Sequence, residues 1–311
     1  MNHGFNKKKF HVLFGSFFLS SILSGIVHFI FALRQTIENE RLMIFYQDLS
    51  QWGHPGYFGI LIALAIIVGL AIKYDSSPFL RFISKWIKPI GVVFLIAFLF
   101  LLSARMQIIA MIGIMLFYGT TLFFRKPERQ KAILYSIILL ILAGSSSAIL
   151  FKHNKRISIL YYGLQDLSME PGQYLNSVET RLILWDIGLE TALERPLLGH
   201  GTASTKTLIT QKAEAIGHTQ IVEKNMGVHT EFLDAWITKW VLGLLLLVIM
   251  IVHPFFQAIK NQNHFLVSVL ILFGLTLLTE SALEREMGVV LFATFVPLSM
   301  LYHQIKVNVG S

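Results

Sequence analysis

From Phe10 to Leu33 the chain carries no formally charged side chain. As a helix rising 1.5 Å per residue this run measures roughly 36 Å, enough to cross a hydrocarbon core of about 30 Å. Inside lipid every backbone N–H and C=O must find a partner within the protein, so only helices and closed barrels can cross. Further apolar runs lie at 57–72, 89–103, 106–124, 132–151, 236–256, 265–280 and 287–304. The expected fold is therefore all-α, a polytopic transmembrane helix bundle of about eight spans. Composition agrees: 54% of residues are hydrophobic and 14% charged, against about 45–50% and 25% in soluble domains.

The stretch 89–124 is apolar except around Ser103-Ala104-Arg105-Met106-Gln107. As one helix it would be roughly 54 Å long, so it is expected to fold back near Arg105. Charge supports that turn. Lys73, Arg81, Lys85 and Lys88 precede the pair of runs and Arg125, Lys126, Arg129 and Lys131 follow it. Both clusters face the cytoplasm under the positive-inside rule only if two spans separate them. Lys7, Lys8 and Lys9 precede a run too long for a signal-peptide core of about 7–15 residues, so the first span is expected to be retained and both termini to be cytoplasmic. Residues 1–151 then hold the N-terminal spans, 152–235 one large external loop with short helices, and 236–311 the C-terminal spans.

The formal net charge of +8 has an outlet in these span-flanking clusters, so nucleic acid is not an expected partner. Lys152, Lys155 and Arg156 are expected to meet lipid head groups. With no cysteine in the chain, a disulfide framework, a thiolate metal site and a cysteine nucleophile are excluded.

The loop 152–235 holds eight Lys/Arg and ten Asp/Glu. Within it Val178 to Arg195 is predicted to be helical, with Asn176 and Ser177 as cap candidates, Glu179 in the first turn and Pro196 as the stop. Leu182, Trp185, Leu189 and Leu193 form a stripe suited either to the membrane or bundle, or to the loop's own core.

Three places could carry chemistry. Arg105, at the outer end of the hairpin, calls for an anion or oxygen partner, or snorkels to the interface. Arg181 lies near a helix N-terminus, whose amides favour anions; the plainer reading is a surface ion pair with Glu179 or Glu190. His229 precedes the apolar run beginning at about Trp236, where an imidazole can exchange protons near neutral pH. His218, eleven residues earlier, is its rival, though the pair fits no zinc signature. Glu280, Glu284 and Glu286 cluster with Arg285 between the last two spans, either solvating that turn or countering the arginines and positioning an acceptor.

Arg181 with Trp185, then Pro196-Leu197-Leu198-Gly199-His200-Gly201, then His229 with Leu233 and Gly243, resemble in order and placement the signature of the O-antigen ligase and polymerase superfamily. Ser103-Ala104-Arg105 is similar to its earlier Ser-Arg element. Thr230 stands where the family pattern has Asn, and Trp240 where it has the first glycine of a Gly-x-x-Gly pair. The resemblance implies a metal-independent, cofactor-free glycosyltransferase of the bacterial inner membrane with a periplasmic active face. Its donor would be an undecaprenyl-pyrophosphate-linked glycan and its acceptor lipid A–core for a ligase, the favoured reading, or a second lipid-linked glycan for a polymerase. Arg105 and Arg181 would neutralise the leaving pyrophosphate and His229 would take the acceptor's proton; Trp185, Gly199, Gly201 and Glu280 would contact substrate. A multi-span transporter would also explain the hydropathy, but calls for repeated halves and mid-membrane polar groups.

Overall fold

The computed structural model describes residues 6–72, 81–123, 172 and 175–310. The expected span at 132–151, the basic residues 125–131, and Lys152, Lys155 and Arg156 lie outside the described residues. Among the described residues no strand occurs. The helices are α1 (Lys7–Glu38), α2 (Pro55–Ala71), α3 (Lys88–Leu101, entered through a π-turn at Ile83–Ile87), α4 (Arg105–Phe123), α5 (Ser177–Glu194), α6 (Thr205–Ala215), α7 (Thr219–Glu223), α8 (Glu231–Lys260), α9 (His264–Thr279) and α10 (Glu286–Gly310).

Among the described residues three helices are long and apolar enough to cross a membrane: α1, α8 and the Glu286–Ile305 part of α10. α2, Arg105–Thr121 of α4, and α9 are apolar but shorter. The fold-back near Arg105 is present. α3 ends at Leu101, Ser103 takes a left-handed φ of 51°, and α4 starts at Arg105.

The chain divides into two compact units, one of residues 1–148, 257–273 and 290–311 and the other of 149–256 and 274–289. In the first, small residues let backbones approach closely, as between membrane helices generally. A Cβ on Gly69 would come within 2.7 Å of Val92 and 2.8 Å of Phe18, and one on Gly59 within 2.7 Å of Ala104, so α2 lies tightly against α1, α3 and the hairpin turn. Phe14 of α1 meets Phe265 edge-to-face at 5.3 Å and Tyr302 at 5.9 Å. Edge-to-face is a favoured geometry for aromatic pairs, and it ties α1 to the start of α9 and to α10.

In the second unit, Ile183, Leu184 and Ile187 of α5, Ile209 and Ala213 of α6, Ile221 of α7, Val228, and Ile237 of α8 form one buried cluster. This cluster does not include Leu189 or Leu193 of the α5 stripe. Leu189 and Leu193 are exposed at 43% and 57%, and Leu182 sits on the same side. The core is instead made by the opposite face, so α5 is apolar on both faces. Its N-terminus has a complete capping box: Asn176 Oδ1 accepts from Val178 N at 2.8 Å and Glu179 N at 3.2 Å, while Glu179 Oε2 accepts from Asn176 N at 2.7 Å.

α8 begins at Glu231, earlier than the apolar run alone predicts. It is broken at Lys239 (φ −124°, ψ 20°) and Trp240 (φ 68°, ψ −179°). The Trp240 values belong to a region that essentially only glycine populates. Trp240 stands at the position where the resembled pattern has glycine, and its backbone takes a conformation that glycine adopts without strain.

Candidate functional site

The turn after α5 and the break in α8 hold each other. The Pro196 carbonyl accepts from Trp236 Nε1 at 3.3 Å and from Val241 N at 3.3 Å, and His200 N donates to the Ile237 carbonyl at 2.7 Å. These bonds engage backbone groups that the interrupted helix would otherwise leave short of partners. Gly199 (φ 62°) is buried in the clasp, where a Cβ would stand 2.8 Å from Trp240 Cδ1, 3.0 Å from Ile237 O and 3.1 Å from Trp240 N. Gly201 (φ 89°) has nothing within 4 Å of its Cβ position. The two glycines expected at a substrate surface thus differ: Gly199 serves packing, and Gly201 faces open space.

At the other end of α5, Arg181 Nη2 donates to Glu280 Oε1 at 2.7 Å, with the side chains 27% and 24% exposed. The second oxygen of the same carboxylate, Oε2, lies 3.6 Å from His229 Nδ1. Arg181, Glu280 and His229 therefore form one polar constellation. Its members come from α5, the residue after α9, and the residue two before α8. His229 holds a left-handed φ of 52°, which is uncommon for a residue with a Cβ and sets the direction in which its ring leaves the chain. Neither local partner expected for Arg181 is used. Glu179 is drawn into the capping box, and Glu190 pairs with Lys212 at 3.0 Å. The capping box also occupies the Val178 and Glu179 amides that were expected to greet an anion, which leaves the Arg181 guanidinium as the positive group at this end.

Trp185 follows Arg181 by one helical turn. Its indole N–H is buried with no hydrogen-bond partner among the described residues, an unmet donor of the kind that calls for an explanation. Arg105 opens α4 in the other compact unit. His218 is buried in the turn between α6 and α7, with its amide donating to the Ala213 carbonyl at 2.9 Å.

Two carboxylates beside Glu284, those of Asp234 and Glu231, were not singled out in the sequence. Asp234 is 3% exposed and accepts from Thr205 Oγ1 at 2.6 Å. Glu231 is 4% exposed, and its Oε2 accepts from Leu283 N at 2.8 Å. Glu284 bonds Asp234. Burial, reinforced by that bond and by the nearby Asp234 and Glu231 charges, pushes the Glu284 carboxyl up to about 7. Although Glu284 is exposed as a residue, its carboxyl is bonded to a buried partner. Among the described residues no group of His, Asp and Glu has the arrangement of a metal site.

A family model described as "O-Antigen ligase" matches residues 90–251, just over half of the chain. The chain belongs to the O-antigen ligase family. The match includes Arg105, Arg181, Trp185, Gly199, Gly201, His229 and Gly243, while Glu280 lies beyond it. A Haemophilus influenzae protein carrying only the description "Uncharacterized protein" is 24% identical over 163 residues, which make up 49% of this chain and 39% of that relative. The chain thus spans less than half the length of that relative. Family and apolar helices together make this a membrane protein.

Proposed function

We propose that the chain moves a glycan from undecaprenyl-pyrophosphate to an acceptor hydroxyl on the outer face of the inner membrane, acting as an O-antigen ligase with lipid A–core as acceptor. The observation that carries this reading is the Glu280 carboxylate joining Arg181 to His229, two family-pattern residues 48 positions apart in the chain.

The acceptor hydroxyl oxygen attacks the anomeric carbon of the donor sugar. The bond from that carbon to the pyrophosphate oxygen breaks, and the lipid-linked pyrophosphate leaves with the bonding electrons. His229 takes the hydroxyl proton as the new bond forms. Arg181, with Arg105 assigned as the second cation, offsets the charge that develops on the leaving phosphate, a contribution that grows where water is scarce. To reach the phosphate, Arg181 exchanges Glu280 for a phosphate oxygen. Glu280 is then released to pair with His229 and to stabilise its imidazolium as the proton arrives.

Glycolipid analysis of a strain lacking the gene tests this reading. Lipid-linked polymer accumulating beside bare core means ligase; single repeat units on core mean polymerase. Unchanged glycolipids would reject both. Reporter fusions at 75–85 and 126–130 should read cytoplasmic and fusions at 160–170 external, and a cytoplasmic signal at 160–170 would move the active face to the wrong side.

A further inference from the structure

The exposed face of α5 is anchored at both ends to points where apolar helices stop. At its start, Arg181 is bonded to Glu280, the first residue beyond the apolar helix α9. Just past its end, the Pro196 carbonyl receives Val241 N. There the run 240–259, which has no Asp, Glu, Lys or Arg, begins. These two points lie on the same side of the membrane. Thr230 Oγ1 donates to the Leu277 carbonyl at 3.4 Å and Glu231 Oε2 accepts from Leu283 N at 2.8 Å, so the start of α8 is bonded directly to the end of α9.

From Arg181 to Pro196 the helix path measures roughly 22 Å. Residues 231–240 of α8, which link the two anchors, rise only roughly 15 Å, less than the length of α5. The helix therefore leans along the surface. Its core face is already filled by Ile183, Leu184 and Ile187. The opposite side presents Leu189 at 43%, Leu193 at 57%, Leu197 at 71% and Leu198 at 72% exposure. Trp240, 43% exposed, stands beside this leucine group at the start of the apolar run. Asp186 and Glu190 are exposed on a flank of α5. An apolar ridge with a charged flank, lying in the plane of the interface, is the pattern of helices that sink about 5–10 Å into the boundary between head groups and acyl chains.

The geometry points to α5 and the turn that follows it as a membrane-surface element, with Leu189, Leu193, Leu197 and Leu198 seated in the lipid. The partner is the bilayer of the membrane that α8 and α9 themselves enter. This does not depend on the transfer chemistry proposed above.

The chain has no cysteine, so single cysteines can be placed without removing native ones. Cysteines at Leu189, Leu193, Leu197 and Leu198, and as controls at Asp186 and Glu190, would each carry a bimane label in full-length protein in vesicles of phosphatidylethanolamine and phosphatidylglycerol. Lipids bearing a nitroxide high on the acyl chain should quench the leucine-site labels several-fold more than the controls, with aqueous iodide showing the reverse order. Four leucine sites keep the test open where one variant fails to insert. Iodide quenching at Leu193, Leu197 and Leu198 equal to that at Glu190 would overturn the inference. So would protection of those sites from both quenchers, which would mean that protein covers the face.

Discussion

Gly199→Ala examines the clasp between the α5 turn and the α8 break. Two effects add. Forcing a residue with a Cβ to keep the left-handed φ of 62° costs about 1–2 kcal/mol. The new carbon would also stand 2.8 Å from Trp240 Cδ1 and 3.0 Å from Ile237 O, and overpacking of this kind costs about 1–3 kcal/mol. The expected total is about 2–5 kcal/mol. Gly201→Ala meets only the first effect, because nothing lies within 4 Å of its Cβ position. Thermal unfolding of the purified protein in detergent, followed by loss of monodisperse material, should therefore show Gly199→Ala melting several degrees below Gly201→Ala. A double variant with Trp240→Gly removes the indole contact and relaxes the φ 68°, ψ −179° backbone, so it should be less destabilised than the sum of its single variants. Such non-additivity is what residues in contact give. Equal melting temperatures for the two alanine variants, or strict additivity in the double variant, would refute the clasp.

His229→Ala is expected to lower the transfer rate by about two to four orders of magnitude, the range for a positioned base, while still binding the lipid-linked donor; equal losses of binding and rate would make it a binding residue. His218→Ala, in a buried turn, should lower stability but leave the rate per folded molecule near wild type, as measured on purified protein with both lipid substrates. Glu280→Gln should bind the lipid pyrophosphate more tightly, because Arg181 no longer has a competing carboxylate, yet transfer roughly tenfold or more slowly, as losing a charge-assisted hydrogen bond of about 1.5–3 kcal/mol implies; weaker donor binding would reject the exchange. Glu284 is raised from 4.5 to about 7, so between those values the folded state holds a proton that the unfolded chain releases. Its contribution is present below about pH 4.5 and is lost as pH rises through 7. Glu284→Gln should flatten the fall in melting temperature across that window, and an unchanged slope would show that another group governs it.

Features set by neighbours in sequence were legible in advance. The α5 capping box needed only Asn176 and Glu179, three residues apart, and the turn at Arg105 followed from helix length against bilayer thickness. The partner of Arg181 was not legible, because Glu280 lies 99 positions away while nearer carboxylates at 179 and 190 looked equally suitable. Periodicity found the Leu182–Trp185–Leu189–Leu193 stripe but could not rank it against the Ile183–Leu184–Ile187 face, since both are apolar. α8 starts earlier than its apolar run because Glu231 and Asp234 read as loop residues by composition, whereas bonds to Leu283 and Thr205 keep them inside the fold.

The tethers at either end give α5 the mechanics of a beam on two supports. One support is the charged pair beyond α9, the other the carbonyl clasp at the α8 break. Over a length of roughly 22 Å, a tilt of about ten degrees about the clasp would carry Arg181 through roughly 4 Å, more than the 2.7 Å that now separates it from Glu280. The angle at which the clasp holds α5 thereby becomes a variable of the site's geometry, transmitted by a helix that itself need not bend.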